Sequence, residues 1–123
     1  MDFEFGTAEN LKVTDAELSE LLSEVYVGGN FTDPEHAATL FDPLTVRQRG
    51  TILAARNKAN DEISGVIIFV PPTSNARRLA TGNEAELQLL GVKSKYRTCG
   101  IGTQLVENAI SMAKSAGCQK IVL

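Results

Sequence analysis

Between Val92 and Thr103 the chain passes from a strand pattern to a helical one through Val-Lys-Ser-Lys-Tyr-Arg-Thr-Cys-Gly-Ile-Gly-Thr. Upstream, Glu84, Glu86, Gln88, Leu90 and Val92 fall on one face of an expected strand, and Ala85, Leu87, Leu89 and Gly91 on the other. Downstream, Leu105, Val106, Ala109, Ile110, Met112 and Ala113 follow a helical period from about Gly100 to Ala116, and Gly117 caps it. A helix N-terminus presents unpaired amide N–H groups and a partial positive charge. Gly100 and Gly102 have no Cβ to hold an anion off the backbone. Lys93, Lys95 and Arg97 add positive charge. The segment therefore reads as a site for phosphate or pyrophosphate. The alternative is a glycine-rich turn with no ligand. The dinucleotide fingerprint does not fit, because Leu105 stands where its third glycine belongs. A Walker loop does not fit either, because Thr103 and Gln104 follow Gly102.

The rest of the chain supplies a mixed set of elements. Phe3, Phe5 and Thr7 alternate with polar or small residues, the pattern of a short strand. Thr14 and Glu17 form a capping box, with Val13 and Leu18 as its staple. Leu18, Leu21, Leu22 and Val25 then line one helix face, and Gly28–Gly29–Asn30 ends it. Asp33–Pro34 and Asp42–Pro43 each pair an N-cap with a proline at the first helical position. Thr51 to Arg56 and the β-branched run Ile63 to Val70 flank a turn, which predicts an antiparallel hairpin. A polar loop follows over 72–83, with Arg77–Arg78 at its middle. Lys120 to Leu123 begins a last strand.

With 123 residues, one domain over 1–123 is expected. The longest apolar run, Val66 to Val70, falls far short of the roughly 20 residues of a membrane helix. Two cysteines, Cys99 and Cys118, and one histidine, His36, make neither a disulfide scaffold nor a multi-histidine metal site. Cytoplasmic location, no membrane partner and no metal are the expectations. Residues 1–42 hold ten acids against one base, Lys12, whereas 43–123 hold five acids and eleven bases. This asymmetry reads either as solvated faces or as surfaces for opposite charges. Nucleic acid is not expected, because the bases are scattered and no recognition signature accompanies them.

The pattern Val92-x-x-x-x-Arg97-x-x-Gly100-x-Gly102, after a strand and before an amphipathic helix, resembles the acetyl-CoA motif of the GNAT superfamily of N-acetyltransferases. The order of the preceding elements is similar to that family's. The resemblance implies an α/β, acyl-CoA N-acyltransferase-like fold, a mixed and mostly antiparallel sheet flanked by helices. It implies that the backbone of Arg97, Thr98, Cys99, Gly100, Ile101, Gly102 and Thr103 cradles the pyrophosphate of acetyl-CoA. It further implies that backbone groups of Leu90 and Val92 pair with the pantetheine arm, and that an acceptor amine attacks the acetyl carbonyl directly.

A neutral amine is needed for that attack, so a general base helps. Glu86 is the first choice, at a place where some members of the family carry a catalytic glutamate, and Glu84 is the second. Family members continue past the strand at Lys120 with a helix and two more strands, so the resemblance implies a fold truncated after the fifth strand. The tyrosine that protonates the departing thiolate in the family has no counterpart in position; Tyr26 and Tyr96 do not match it. The uncovered strand at Lys120–Leu123 leads to an expected homodimer. The acidic stretch 14–42 leads to an expected cationic acceptor, a small molecule or a peptide amine. The alternatives are a catalytically impaired acetyl-CoA-binding or dimerising module, and a structural fragment with no ligand.

Overall fold

The computed structural model describes residues 2–27 and 42–123. Its sheet runs β1 (Phe3–Thr7), β2 (Thr51–Asn57), β3 (Ile63–Val70), β4 (Glu84–Val92) and β5 (Lys120–Val122), side by side in that order. Neighbours are antiparallel except β4 and β5, which are parallel. Helix α1 (Asp15–Leu22) continues into a π-helical turn at Ser23–Val27. Helix α2 is Pro43–Arg49, and a 3₁₀ turn at Ser94–Cys99 leads into α3 (Ile101–Ser115). This is the mixed, mostly antiparallel sheet with flanking helices that the sequence predicts. The expectations for Gly28–Gly29–Asn30, Asp33–Pro34 and His36 lie outside the described residues.

β3 is central and buried along its whole length, which is why it reads as an unbroken β-branched run. Val66, Ile68 and Val70 face α1, where Leu18, Leu21, Leu22 and Val25 pack. Ile67 and Phe69 face α3, where Ile101, Leu105, Ala109 and Ala113 pack. Leu18, Leu21 and Leu22 are completely buried, and each contributes about 1.5–3 kcal/mol of transfer energy. The capping box that starts α1 is complete: Glu17 N–H donates to Thr14 Oγ1 at 3.1 Å and Thr14 N–H to Glu17 Oε1 at 3.0 Å. Asp42 caps α2 by accepting from Thr45 N–H at 3.1 Å, with Pro43 in its first turn. On α3, Ile110 is exposed rather than part of the apolar stripe, and Val106 and Met112 only border the core.

Strand β4 departs from simple alternation. Val66 pairs with Gly91 but Ile68 pairs with Gln88, so Leu89 and Leu90 stand opposite one residue of β3. Leu89 takes a left-handed φ of 50° to make this bulge. Ala85 and Leu87 face α3 as a pair, but past the bulge Leu89 packs on the α1 side and Val92 on the α3 side. The expected faces, with Val92 beside Glu86, are thus exchanged beyond Gln88.

Part of the charge asymmetry of the sequence is met within the molecule. Arg47 Nε donates to Asp15 at 2.9 Å, Arg56 to Glu17 at 3.0 Å and Lys93 to Glu20 at 3.4 Å. Ser94 N–H donates to Glu24 at 3.2 Å. The described acids of α1 and its turn thus hold three basic side chains, Arg47, Arg56 and Lys93, and one backbone amide. Arg56 is largely buried and also donates to the carbonyls of Leu11 and Asp61. Replacing Arg56 by Ala leaves those acceptors unpaired, and a loss of about 2 kcal/mol is expected in urea denaturation.

Candidate functional site

The strand-to-helix joint has the geometry of an anion cradle. Gly100 sits at φ 75°, a left-handed conformation that turns the chain from the 3₁₀ segment into α3. No side chain caps α3, so the first amides of a 15-residue helix have no capping partner there. A Cβ built on Gly100 would meet nothing within 4 Å, and one on Gly102 only Val92 Cγ2 at 3.8 Å. Arg97, Thr98, Cys99 and Gly100 are exposed, and Thr103 is exposed on the first turn of α3. Ile101 instead points inward and is buried against Leu105, so only its backbone is available here. Open space over glycine backbone beside an uncapped helix is what a pyrophosphate needs.

The positive charge there is smaller than the sequence suggests. Lys93 is buried and reaches Glu20, and Lys95 pairs with Glu62 at 2.8 Å. The hydrogen bond to Glu62, partly offset by burial, raises the Lys95 pKa. Of the three bases, Arg97 alone pairs with no carboxylate among the described residues.

Leu90 and Val92 lie at the C-terminal end of β4, just before this joint. The bulge takes Leu89 and Leu90 out of the ladder with β3, which leaves backbone groups unmatched on that side. The Leu90 carbonyl accepts from the Tyr26 hydroxyl at 2.9 Å. Burial raises the Tyr26 pKa, so the phenol stays a donor at neutral pH. Tyr26 was not legible as a site residue, because its contact lies 64 residues away in the chain.

Glu86 lies on the α1 face of β4 and is buried. Its carboxylate accepts from the backbone N–H groups of Arg78 at 3.0 Å, Leu79 at 2.6 Å and Ala80 at 2.9 Å, and from the Gln88 side chain. Burial pushes its pKa up, but the Gln88 and backbone hydrogen bonds outweigh that and bring it down to about 2. Such a carboxylate is a weak proton acceptor, and its lone pairs are occupied. What the geometry favours is an ionised anchor for the loop 78–80. Glu84 is similarly engaged: its Oε1 accepts from Thr81 N–H at 2.9 Å. Gln88 donates to the Ala76 carbonyl at 2.9 Å, while its own Oε1 is buried without a partner among the described residues.

Cys99 is exposed, and Cys118 is half-buried at the border of the α3 core. Among the described residues no group of His, Cys, Asp and Glu is arranged to hold a metal ion, and no helix is long and apolar enough to cross a membrane.

Comparison with known proteins agrees with this arrangement. A search of curated protein sequences finds no match. Among solved structures, an acetyltransferase of the GNAT family from Staphylococcus aureus Mu50 superposes with a TM-score of 0.74 at 17% identity, covering 98% of this chain and 72% of that one. A GNAT family acetyltransferase from Brucella melitensis, in complex with acetyl-CoA, gives 0.72 at 14% identity, over 98% and 73% of the two chains. A Bacillus subtilis acetyltransferase in complex with CoA gives 0.65 at 24% identity, over 98% and 63%. These likenesses concern the fold. The sequence itself matches the model of the acetyltransferase (GNAT) family over residues 16–123. That span contains the bulged strand, the left-handed glycine and the uncapped helix, and the chain therefore belongs to the GNAT family of acetyltransferases.

Proposed function

We propose that this chain moves an acetyl group from acetyl-CoA to a primary amine, on a small molecule or a peptide, by direct attack. The supporting observation is the open backbone at Gly100 and Gly102 in front of an uncapped α3. Amides from Arg97 to Thr103 bind the pyrophosphate, and backbone groups of Leu90 and Val92 hold the pantetheine arm. The thioester supplies an activated acetyl group. The amine nitrogen forms a bond to the acetyl carbon as the carbon–sulfur bond breaks, and coenzyme A leaves with a proton. Glu86, fixed in its ionised form, serves in this reading by its negative charge near the developing ammonium and by holding the loop 78–80, with the amine proton passing to solvent. Cytoplasmic location belongs to the same proposal.

Acetyl-CoA binds only the folded chain in this reading, so it should raise the melting temperature. At about 100 times Kd the gain is about 2.7 kcal/mol. No shift at millimolar acetyl-CoA would remove the support for coenzyme binding. A shift without turnover on any amine would favour the second reading, an impaired acetyl-CoA-binding module.

A homodimer is proposed through the outer edge of β5. That edge is unpaired among the described residues, and Leu123 beside it is 76% exposed. Light scattering should give twice the mass of the 13.2 kDa chain, and a charge introduced at Val122 should halve it. A single 13.2 kDa species at high concentration would count against the dimer.

A further inference from the structure

Two irregular segments meet at one hydrogen bond. In β4, the bulge at Leu89 and Leu90 puts one extra residue opposite β3 and holds Leu89 at φ 50°. That backbone conformation is unfavourable for a leucine and persists only where its surroundings hold it. Against it, α1 gives way to the π-helical turn Ser23–Val27. A π turn adds a residue to the helical period and so re-aims the side chains it carries. Tyr26 stands on that turn, half-buried, and its hydroxyl donates to the Leu90 carbonyl at 2.9 Å.

The end of α1 and its turn grip the end of β4 at further points. Glu24 Oε2 accepts from the Ser94 amide at 3.2 Å. Lys93 is buried and reaches Glu20 at 3.4 Å. Leu21 and Val25 lie so close to Gly91 that a Cβ there would meet both at 3.4 Å. On the opposite edge, β5 pairs with β4 only at Glu84, Ala85 and Glu86. The segment 90–92 therefore has no strand beside it on that edge among the described residues. It is positioned from the α1 side and open on the other. A peptide unit is planar, so fixing the Leu90 carbonyl also fixes the direction of the Gly91 amide. A carbonyl has two lone pairs, and the bond from Tyr26 uses one of them.

We infer that Tyr26 is a positioning residue for the coenzyme: its hydroxyl holds the bulge at Leu89 and Leu90 in the form that receives the pantetheine arm. The inference rests on the reading of Leu90 and Val92 as the backbone that pairs with that arm. Without the hydroxyl, the receptive form is only partly populated, and the apparent affinity falls by that fraction. The cradle at Gly100 is shaped by its own left-handed turn and by α3, so the pyrophosphate does not share the loss.

The test is calorimetric titration of the parent and of Tyr26→Phe with acetyl-CoA and with 3′-phospho-ADP, the part of the coenzyme that keeps the pyrophosphate and lacks the pantetheine arm. The parent should bind acetyl-CoA more tightly than 3′-phospho-ADP. Tyr26→Phe should weaken acetyl-CoA about 10-fold and 3′-phospho-ADP by less than about 2-fold. In ¹⁵N spectra of the free variant, amide shifts should gather at 89–92 and spare 100–103. Equal affinity of parent and variant for acetyl-CoA, or equal losses for the two compounds, would overturn the inference; the second result would make Tyr26 a purely structural residue. A parent that binds 3′-phospho-ADP and gains nothing from the pantetheine arm would also overturn it, while the pyrophosphate site would stand. A parent that binds neither compound would sink the coenzyme reading and the inference with it.

Discussion

Replacing Gly102 by Val should abolish acetyl-CoA binding, weakening it about 100-fold or more, with little change in the melting temperature of the free protein. The two effects separate because of where Gly102 sits. It lies in the first turn of α3, without the positive φ of Gly100, and a Cβ there makes only an ordinary contact with Val92 at 3.8 Å. Valine in place of glycine in a helix changes stability by a few tenths of a kcal/mol. The branched side chain nevertheless stands where a phosphate would approach the amides of the uncapped helix. Loss of two charge-assisted hydrogen bonds accounts for a factor of about 100 or more. Gly100→Val is a poorer probe. At φ 75° any L side chain is strained, by about 1–2 kcal/mol, so that variant loses stability and binding together. Calorimetric titration of Gly102→Val with acetyl-CoA reads the effect directly. An affinity equal to the parent's would mean that the pyrophosphate lies elsewhere.

Glu86→Gln should destabilise the protein by about 3 kcal/mol at pH 7, an order of magnitude set by the shift of its pKa. A carboxylate accepts from the amides of Arg78, Leu79 and Ala80 and from Gln88. A glutamine must turn an NH₂ group toward some of those donors. The pH dependence follows from the direction of the shift. The folded-state pKa, about 2, lies below the ordinary 4.5 of the unfolded chain. The stabilisation is therefore complete above pH 4.5 and is lost as the pH falls from there toward 2. Urea denaturation of parent and variant should differ most at neutral pH and converge near pH 2. Turnover discriminates between the roles. If Glu86 acts by position and charge, Glu86→Gln raises KM and loosens the loop 78–80. A variant of parental stability whose kcat falls by about 10²–10⁴-fold would instead make Glu86 the proton acceptor.

Much of this architecture was legible because its causes are local. The β-branched run at Ile63–Val70 predicts a buried strand, and β3 has those bounds. Thr14 and Glu17 three residues apart announce the start of α1, and Gly117, at φ 76°, marks the end of α3. The Gly100-x-Gly102 pair signals an open helix start for a physical reason, since only glycine leaves that space. What escaped the sequence depends on distant partners. Lys93 and Lys95 look like free charge until Glu20 and Glu62 arrive from elsewhere in the chain. The bulge at Leu89 puts a leucine at φ 50°, for which its own side chain gives no sign. Glu86 resembles a free strand carboxylate because the groups that bind it are backbone amides, which every residue carries. A groove by Arg49 and Ser74 needs the end of α2 and a loop some 25 residues later to meet.

The central claim is acetyl transfer, and incubating the protein with acetyl-CoA and a panel of amines tests it most directly. The panel should include neutral, polycationic, carboxylate-bearing and phosphate-bearing members, with free coenzyme A followed by a thiol reagent and the products by mass. The account predicts thiol release that depends on the amine, matched one for one by an amine heavier by one acetyl group. It also predicts that Gly102→Val abolishes that release. Thiol release independent of any amine, or acetyl-CoA bound tightly with no acetylated product across the panel, would contradict it.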